Sequence, residues 1–163
     1  MSVKVHLADF YPLIRETLDQ GGTFTMTITG SSMFPFILGG RDQVTLSPIT
    51  EDLKKNDLPF YLRSNGQFVL HRIVKVEKDG TYTCCGDHQW ALERGLKREQ
   101  MIGICTQYVR KGRTITNKNI LYRMYRTFWT WILNYRWIIF KLYGKWSAVR
   151  NKRRKIRKEE KGN

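Results

Sequence analysis

Thr23-Phe24-Thr25-Met26-Thr27-Ile28-Thr29-Gly30-Ser31-Ser32-Met33-Phe34-Pro35 is the stretch that decides how this chain is read. Phe24, Met26 and Ile28 alternate with threonines, and that period of two in β-branched company predicts a strand with one apolar face. The strand runs into a Gly-Ser-Ser turn, and Pro35 ends regular structure soon after. A serine on a tight turn at a strand end can be reached by a base from one side and a substrate from the other. Gly-Ser-Ser is also an ordinary turn composition, so the reading depends on what else the chain supplies.

Two later stretches supply it. Phe68-Val69-Leu70-His71-Arg72-Ile73-Val74-Lys75-Val76 predicts a second strand with a single histidine inside it. Cys84-Cys85-Gly86-Asp87-His88-Gln89 places an acid directly after a glycine at a strand end. Serine, histidine and acid are the nucleophile, the general base and the group that orients the base in acyl transfer. Their order along a chain carries little meaning, because the same constellation recurs in different orders on unrelated folds. Asp42 and Asp57 compete with Asp87 for the orienting role.

The phrases GSSMFP, VLHRIV, GDHQ and MIGIC (Met101 to Cys105) resemble, in order and spacing, the signature blocks of signal-peptidase-like serine peptidases. That group includes the type I signal peptidases and the self-cleaving SOS-response repressors. The resemblance covers about residues 23 to 109. It implies that Ser32, the serine before Met33, is the nucleophile. It also implies that His71 is the base, in the manner of the histidine-using branch rather than the lysine-using bacterial one, and that Asp87 is the third member. The oxyanion would meet the backbone N–H of Ser32 in a turn that Gly30 lets tighten, with Ser31 and Met33 on either side. Many family members carry a serine two residues before the nucleophile. Here that position is Gly30, so either Ser31 takes its part or the hole is backbone alone.

The 163 residues carry a formal charge of +15, and its distribution says more than its size. Residues 1–109 hold 12 Lys+Arg and 12 Asp+Glu, whereas residues 110–163 hold 17 cations against Glu159 and Glu160. A neutral domain is therefore followed by a basic, aromatic segment. Cys84, Cys85 and Cys105 give no metal-ligand spacing and no even disulfide set, and read as buried structural thiols in a reducing compartment. No metal, nucleotide or redox cofactor signature is present, and the implied mechanism needs none.

Residues 1–22 predict an entry helix rather than a secretory leader. Asp9, Arg15, Glu16 and Asp19 interrupt any apolar run, Tyr11, Ile14 and Leu18 recur at helical spacing, and Gly21-Gly22 end it. Beyond the serine turn, Asn56 sits where the family writes a glycine and predicts a left-handed turn. Asn65-Gly66 and Asp79-Gly80 predict hairpins, and residues 89–100 a loop or short helix. The whole is a mainly β, small barrel-like domain of signal-peptidase type over 23–109, with a helix before it. After it come an amphipathic helix within 110–149 and a disordered polybasic tail over 150–163.

In the 110–149 segment, Arg123, Arg126, Lys141 and Lys145 fall near one arc, while Trp129, Trp131 and many aliphatics occupy the rest; Trp137 intrudes on the polar edge. A wide apolar surface bordered by cations suits a membrane interface. A spanning helix needs about 20 apolar residues, and the longest uncharged run is only Thr127 to Tyr135. The expectation is therefore a serine endopeptidase cleaving leader or signal segments of peptide precursors. It would attach to anionic lipid, with its polybasic tail on the cytoplasmic face of the plasma membrane; a spanning helix with an outward-facing domain is the alternative. A nucleic-acid-binding self-cleaving regulator and a catalytically idle membrane module are the competing functions.

Overall fold

The computed structural model describes residues 7–159; for residues 145, 148, 149 and 151–159 it describes the backbone alone. The chain is mainly β, with an N-terminal helix, a curled half-barrel sheet and C-terminal helices. It divides into two compact units, residues 1–131 and 132–163.

In the first unit, α1 (Leu7–Asp19) buries Ile14 and Leu18, the predicted apolar face. A side chain on Gly103 would come within 2.8 Å of Leu18 Cδ1, so the glycine lets the helix lie close on the sheet. Strand β1 (Phe24–Thr27) keeps the alternation its sequence announces, with Phe24 and Met26 half-buried and Thr25 and Thr27 exposed. It pairs antiparallel with β2 (Gln43–Ser47), and β2 with the long β8 (Met101–Arg110). The other edge of β8 is shared: its first half takes β3 (Pro59–Leu62), which pairs with β4 (Phe68–Leu70), and its second half takes β9 (Arg113–Thr116). A second sheet has the order β5 (Arg72–Val76), β6 (Tyr82–Cys85), β7 (Glu93–Leu96). The main core gathers Val44, Leu46, Leu58, Phe60 and Tyr108 under α1, and a smaller one gathers Tyr61, Ile73 and Leu96 over the second sheet.

Several boundaries differ from expectation. The run 68–76 is two strands, because the chain passes from one sheet to the other at His71. His71 and Arg72 are consequently both buried, at 3% and 0% exposure, where a continuous strand would turn one of them outward. The β domain continues past residue 109 through a two-residue turn, with Lys111 and Gly112 at φ 52° and 77° returning the chain as β9. Asn56 takes the left-handed conformation at φ 79°. The 89–100 segment holds β7 and a short 3-10 turn, Arg98–Gln100.

The basic segment is more than one helix. α2 (Ile120–Trp131) belongs to the first unit, and the second unit contains a 3-10 turn, Leu133–Tyr135, and α3 (Arg136–Glu159). The backbone is helical through Glu159, where a disordered tail was expected from residue 150; residues 160–163 lie outside the described ones. Among the described residues, no helix is long and apolar enough to cross a membrane.

Candidate active site

Ser32 lies on a turn that follows β1. The chain leaves β1, and residues 31–37 wind into a helical turn held by Phe34 N–H to Ser31 O (3.1 Å) and Ile37 N–H to Met33 O (3.0 Å). Met33 plugs the turn into the core at 1% exposure, while Ser31 is exposed and Ser32 half-exposed. No hydrogen bond from the backbone N–H of Ser32 or Met33 is found among the described residues. Two amides at the start of a helical turn are a natural anion site for an oxyanion.

Ser32 and His71 converge at Gly86. A Cβ built on Gly86 would lie 2.8 Å from the Ser32 carbonyl oxygen and 3.1 Å from His71 Nε2, so glycine lets the Ser32 backbone and the His71 imidazole both lie this close to the loop. The next residue but one reinforces the contact, because His88 N–H donates to Ser32 O at 2.7 Å. Both Ser32 and His71 line a groove of about 730 Å³. Its walls come from β1 and the two residues after it (24–29), from β4 and from Leu7 and Phe10 of α1.

The carboxylate hydrogen-bonded to the base differs from the one expected. His71 Nδ1 lies 2.8 Å from Glu93 Oε1. Arg63 grips the same carboxylate through Nε and Nη2 at 2.7 and 2.5 Å. Tyr61 OH is a longer neighbour of Nδ1, at 3.4 Å. Burial lowers the His71 pKa below its usual 6.5, against the opposing pull of Glu93, so the ring is neutral and able to accept a proton near pH 7. Burial pushes the Glu93 carboxyl up, but Arg63 and His71 together outweigh it, leaving it below its ordinary value and ionised. With Nδ1–H facing Glu93, Nε2 carries the lone pair, and it lies beside Gly86.

Asp87, expected to orient His71, is instead fully buried against Arg72. Arg72 Nε and Nη2 donate to its two oxygens at 2.9 and 2.8 Å, and Tyr125 OH donates to Oδ2 at 3.1 Å. Arg72 Nη1 also reaches Asn56 O and Tyr122 OH. Its position one residue after His71, in the sheet-to-sheet passage, points Arg72 into this second cluster. The other competing acids are occupied elsewhere. Asp42 binds Arg41 and Leu38 N–H, and Asp57 accepts Lys54 N–H and faces Arg126 at 3.7 Å. Glu93 carried no local signal. Its approach to His71, 22 residues away, depends on the β6–β7 register that sets it opposite Cys84.

The remaining predicted residues divide by exposure. A Cβ built on Gly30 would meet no atom within 4 Å. Trp131, at 77% exposure, Trp137, Arg123 and Lys141 are exposed, whereas the side chain of Lys145 lies outside the described residues. Trp129 is buried at 6%, where its Nε1–H donates to Asp87 O at 2.9 Å. Arg126 is half-buried beside Asp57. Trp129 and Arg126 therefore face the protein rather than a membrane. All three cysteines are buried thiols, and burial raises Cys84 and Cys105 to about 12. Among the described residues no cluster could hold a metal ion.

No protein-family model matches the sequence, and no curated protein does.

Proposed function

We propose that the protein is a serine endopeptidase of signal-peptidase type, in which Ser32 is the nucleophile, His71 the base and Glu93 the carboxylate that holds the base. The observation that carries this reading is the approach at Gly86, where the Ser32 carbonyl and His71 Nε2 both lie close to one glycine at the wall of an open groove. An alkyl hydroxyl is a poor nucleophile near neutral pH and needs such a base. His71 Nε2 takes the Ser32 proton as Oγ attacks the scissile carbonyl. The oxyanion is met by the Ser32 and Met33 amides, and the proton passes to the leaving amine as the peptide bond breaks. Water then attacks the acyl-enzyme, with His71 again as base, and frees Ser32. Glu93 fixes the imidazole tautomer and stabilises the imidazolium in both halves.

The substrate is an extended peptide segment, such as the leader of a precursor. The groove runs along β1, whose outer edge has no strand partner among the described residues and offers backbone groups for strand addition. The excess of cations after residue 109 favours work at an anionic membrane surface, on the cytoplasmic side.

The test is cleavage of a pool of peptides and candidate precursors by purified protein with anionic liposomes, read by mass spectrometry. Cleavage by the wild type that disappears in both Ser32→Ala and His71→Ala is the expected result. Equal cleavage in all three proteins would remove Ser32 and His71 from the reaction.

A further inference from the structure

Helix α2 is apolar on two opposite sides. Tyr122, Tyr125 and Trp129 face the β domain, with Tyr122 and Trp129 buried. Ile120, Leu121, Met124, Phe128 and Trp131 face outward, each between 54% and 77% exposed. Exposed apolar residues scattered singly are ordinary, but a contiguous stripe of five on one short helix marks a contact surface. Ile120, Met124, Phe128 and Trp131, with Arg123, border a depression of about 500 Å³.

The inner side of the same helix holds the loop that braces the candidate nucleophile. Trp129 Nε1–H donates to Asp87 O, and Tyr125 OH donates to Asp87 Oδ2. One residue further on, His88 N–H donates to Ser32 O. The path from the outer stripe to the serine turn is thus one helix, two side-chain hydrogen bonds and one backbone hydrogen bond.

We infer that the outer stripe of α2 docks into an anionic lipid surface, and that docking tightens the 86–88 loop and with it the Ser32 turn. The choice of lipid follows from charge. Every net positive charge of the chain lies after residue 109, and Lys118 and Arg123 stand exposed beside the stripe. Large apolar side chains with flanking cations are what the headgroup boundary of an anionic bilayer accommodates. The coupling follows from helix physics. α2 has only 12 residues, about the length at which an isolated helix is marginal in water, so a surface that covers its outer side favours the folded, seated helix. A ligand shifts an equilibrium by its differential affinity for the two states, and the seated state is also the one in which Trp129 and Tyr125 hold Asp87.

This inference takes the peptidase reading as its premise for what the tightened loop does, but its test has a readout independent of cleavage. The full chain is mixed with vesicles of phosphatidylglycerol and phosphatidylcholine, or of phosphatidylcholine alone. Binding is read by co-sedimentation, and exchange of the His88 amide by hydrogen–deuterium exchange. Only the anionic vesicles should bind, and they should slow His88 exchange by at least about fivefold. Leu121→Ser/Trp131→Ser should lose binding by about tenfold or more while keeping the lipid-free exchange rate. Trp129→Phe and Tyr125→Phe should still bind the vesicles, but with much of the slowing lost.

Unchanged or faster exchange on bound vesicles would overturn the coupling. Equal binding by the outer-stripe variant, or preference for double-stranded DNA over the anionic vesicles, would overturn the docking surface. If binding and slowing occur as stated while no peptide is cleaved, the lipid inference stands and the peptidase reading fails. If peptides are cleaved equally with and without vesicles and exchange is unmoved, the reverse holds.

Discussion

Glu93 is the residue at which a held imidazole can be told from a merely buried one. Glu93→Gln preserves the shape of the side chain and keeps an oxygen for Arg63, but it removes the charge that stabilises the imidazolium. The turnover number should fall by at least about 10²-fold. The partly exposed pair with Arg63 should cost no more than about 1 kcal/mol of stability, measurable as a small shift of the urea midpoint. The pH profile carries a second prediction. His71 must be unprotonated to act, and burial lowers its pKa below 6.5, so activity should persist below pH 6.5 and fall only as pH drops through the lowered value. Below pH 6.5 the unfolded chain takes up that proton more readily than the folded one, so His71 also withdraws stability as the solution is acidified toward its folded value. Initial rates measured over short times separate the two effects.

At the scale of elements, the 86–89 loop joins the candidate site to α2, and two substitutions should tell its roles apart. Asp87→Ala leaves Arg72 charged, fully buried and without its carboxylate. That should cost about 3–5 kcal/mol, seen as a large drop in the denaturation midpoint. The same change at Glu93 would be mild, so the two acids should separate by stability as well as by activity. Gly86→Ala forces a methyl against Ser32 O and His71 Nε2 and should cost about 1–3 kcal/mol while widening the serine–histidine approach, seen as lost turnover.

The difference between Asp87 and Glu93 also explains how far sequence could reach. Local signals were sound: the alternation of β1, the left-handed Asn56 and the apolar face of α1 each depend on neighbours a few residues away. The division of 68–76 at His71 and the pairing of His71 with Glu93 depend on which sheet a strand joins and in what register, and no short window encodes that. Arg110-Lys111-Gly112-Arg113 is a readable hairpin turn, masked by its own three cations, which read as the start of the basic segment.

For the whole molecule, the two units divide the charge unequally. Removing residues 132–163 takes 11 cations and both acids of the basic segment, lowering the formal charge from +15 to +6. The shortened chain keeps β1 to β9 and α2, which all lie in the first unit. Its affinity for anionic vesicles should be weaker and its salt dependence shallower, since each lost cation near the surface contributes about 1 kcal/mol and acts within a Debye length.

The position of Trp129 in the chain also sets an order of events during synthesis. Ser32, His71 and Glu93 leave the ribosome first, yet the indole that anchors the loop behind them is made last among the residues of the first unit that meet there. A nascent chain that has grown only through its β-strands carries Ser32, His71 and Glu93 without that anchor. The braced site therefore forms only after α2 has emerged, so a chain truncated before that point would carry the three residues without the bracing.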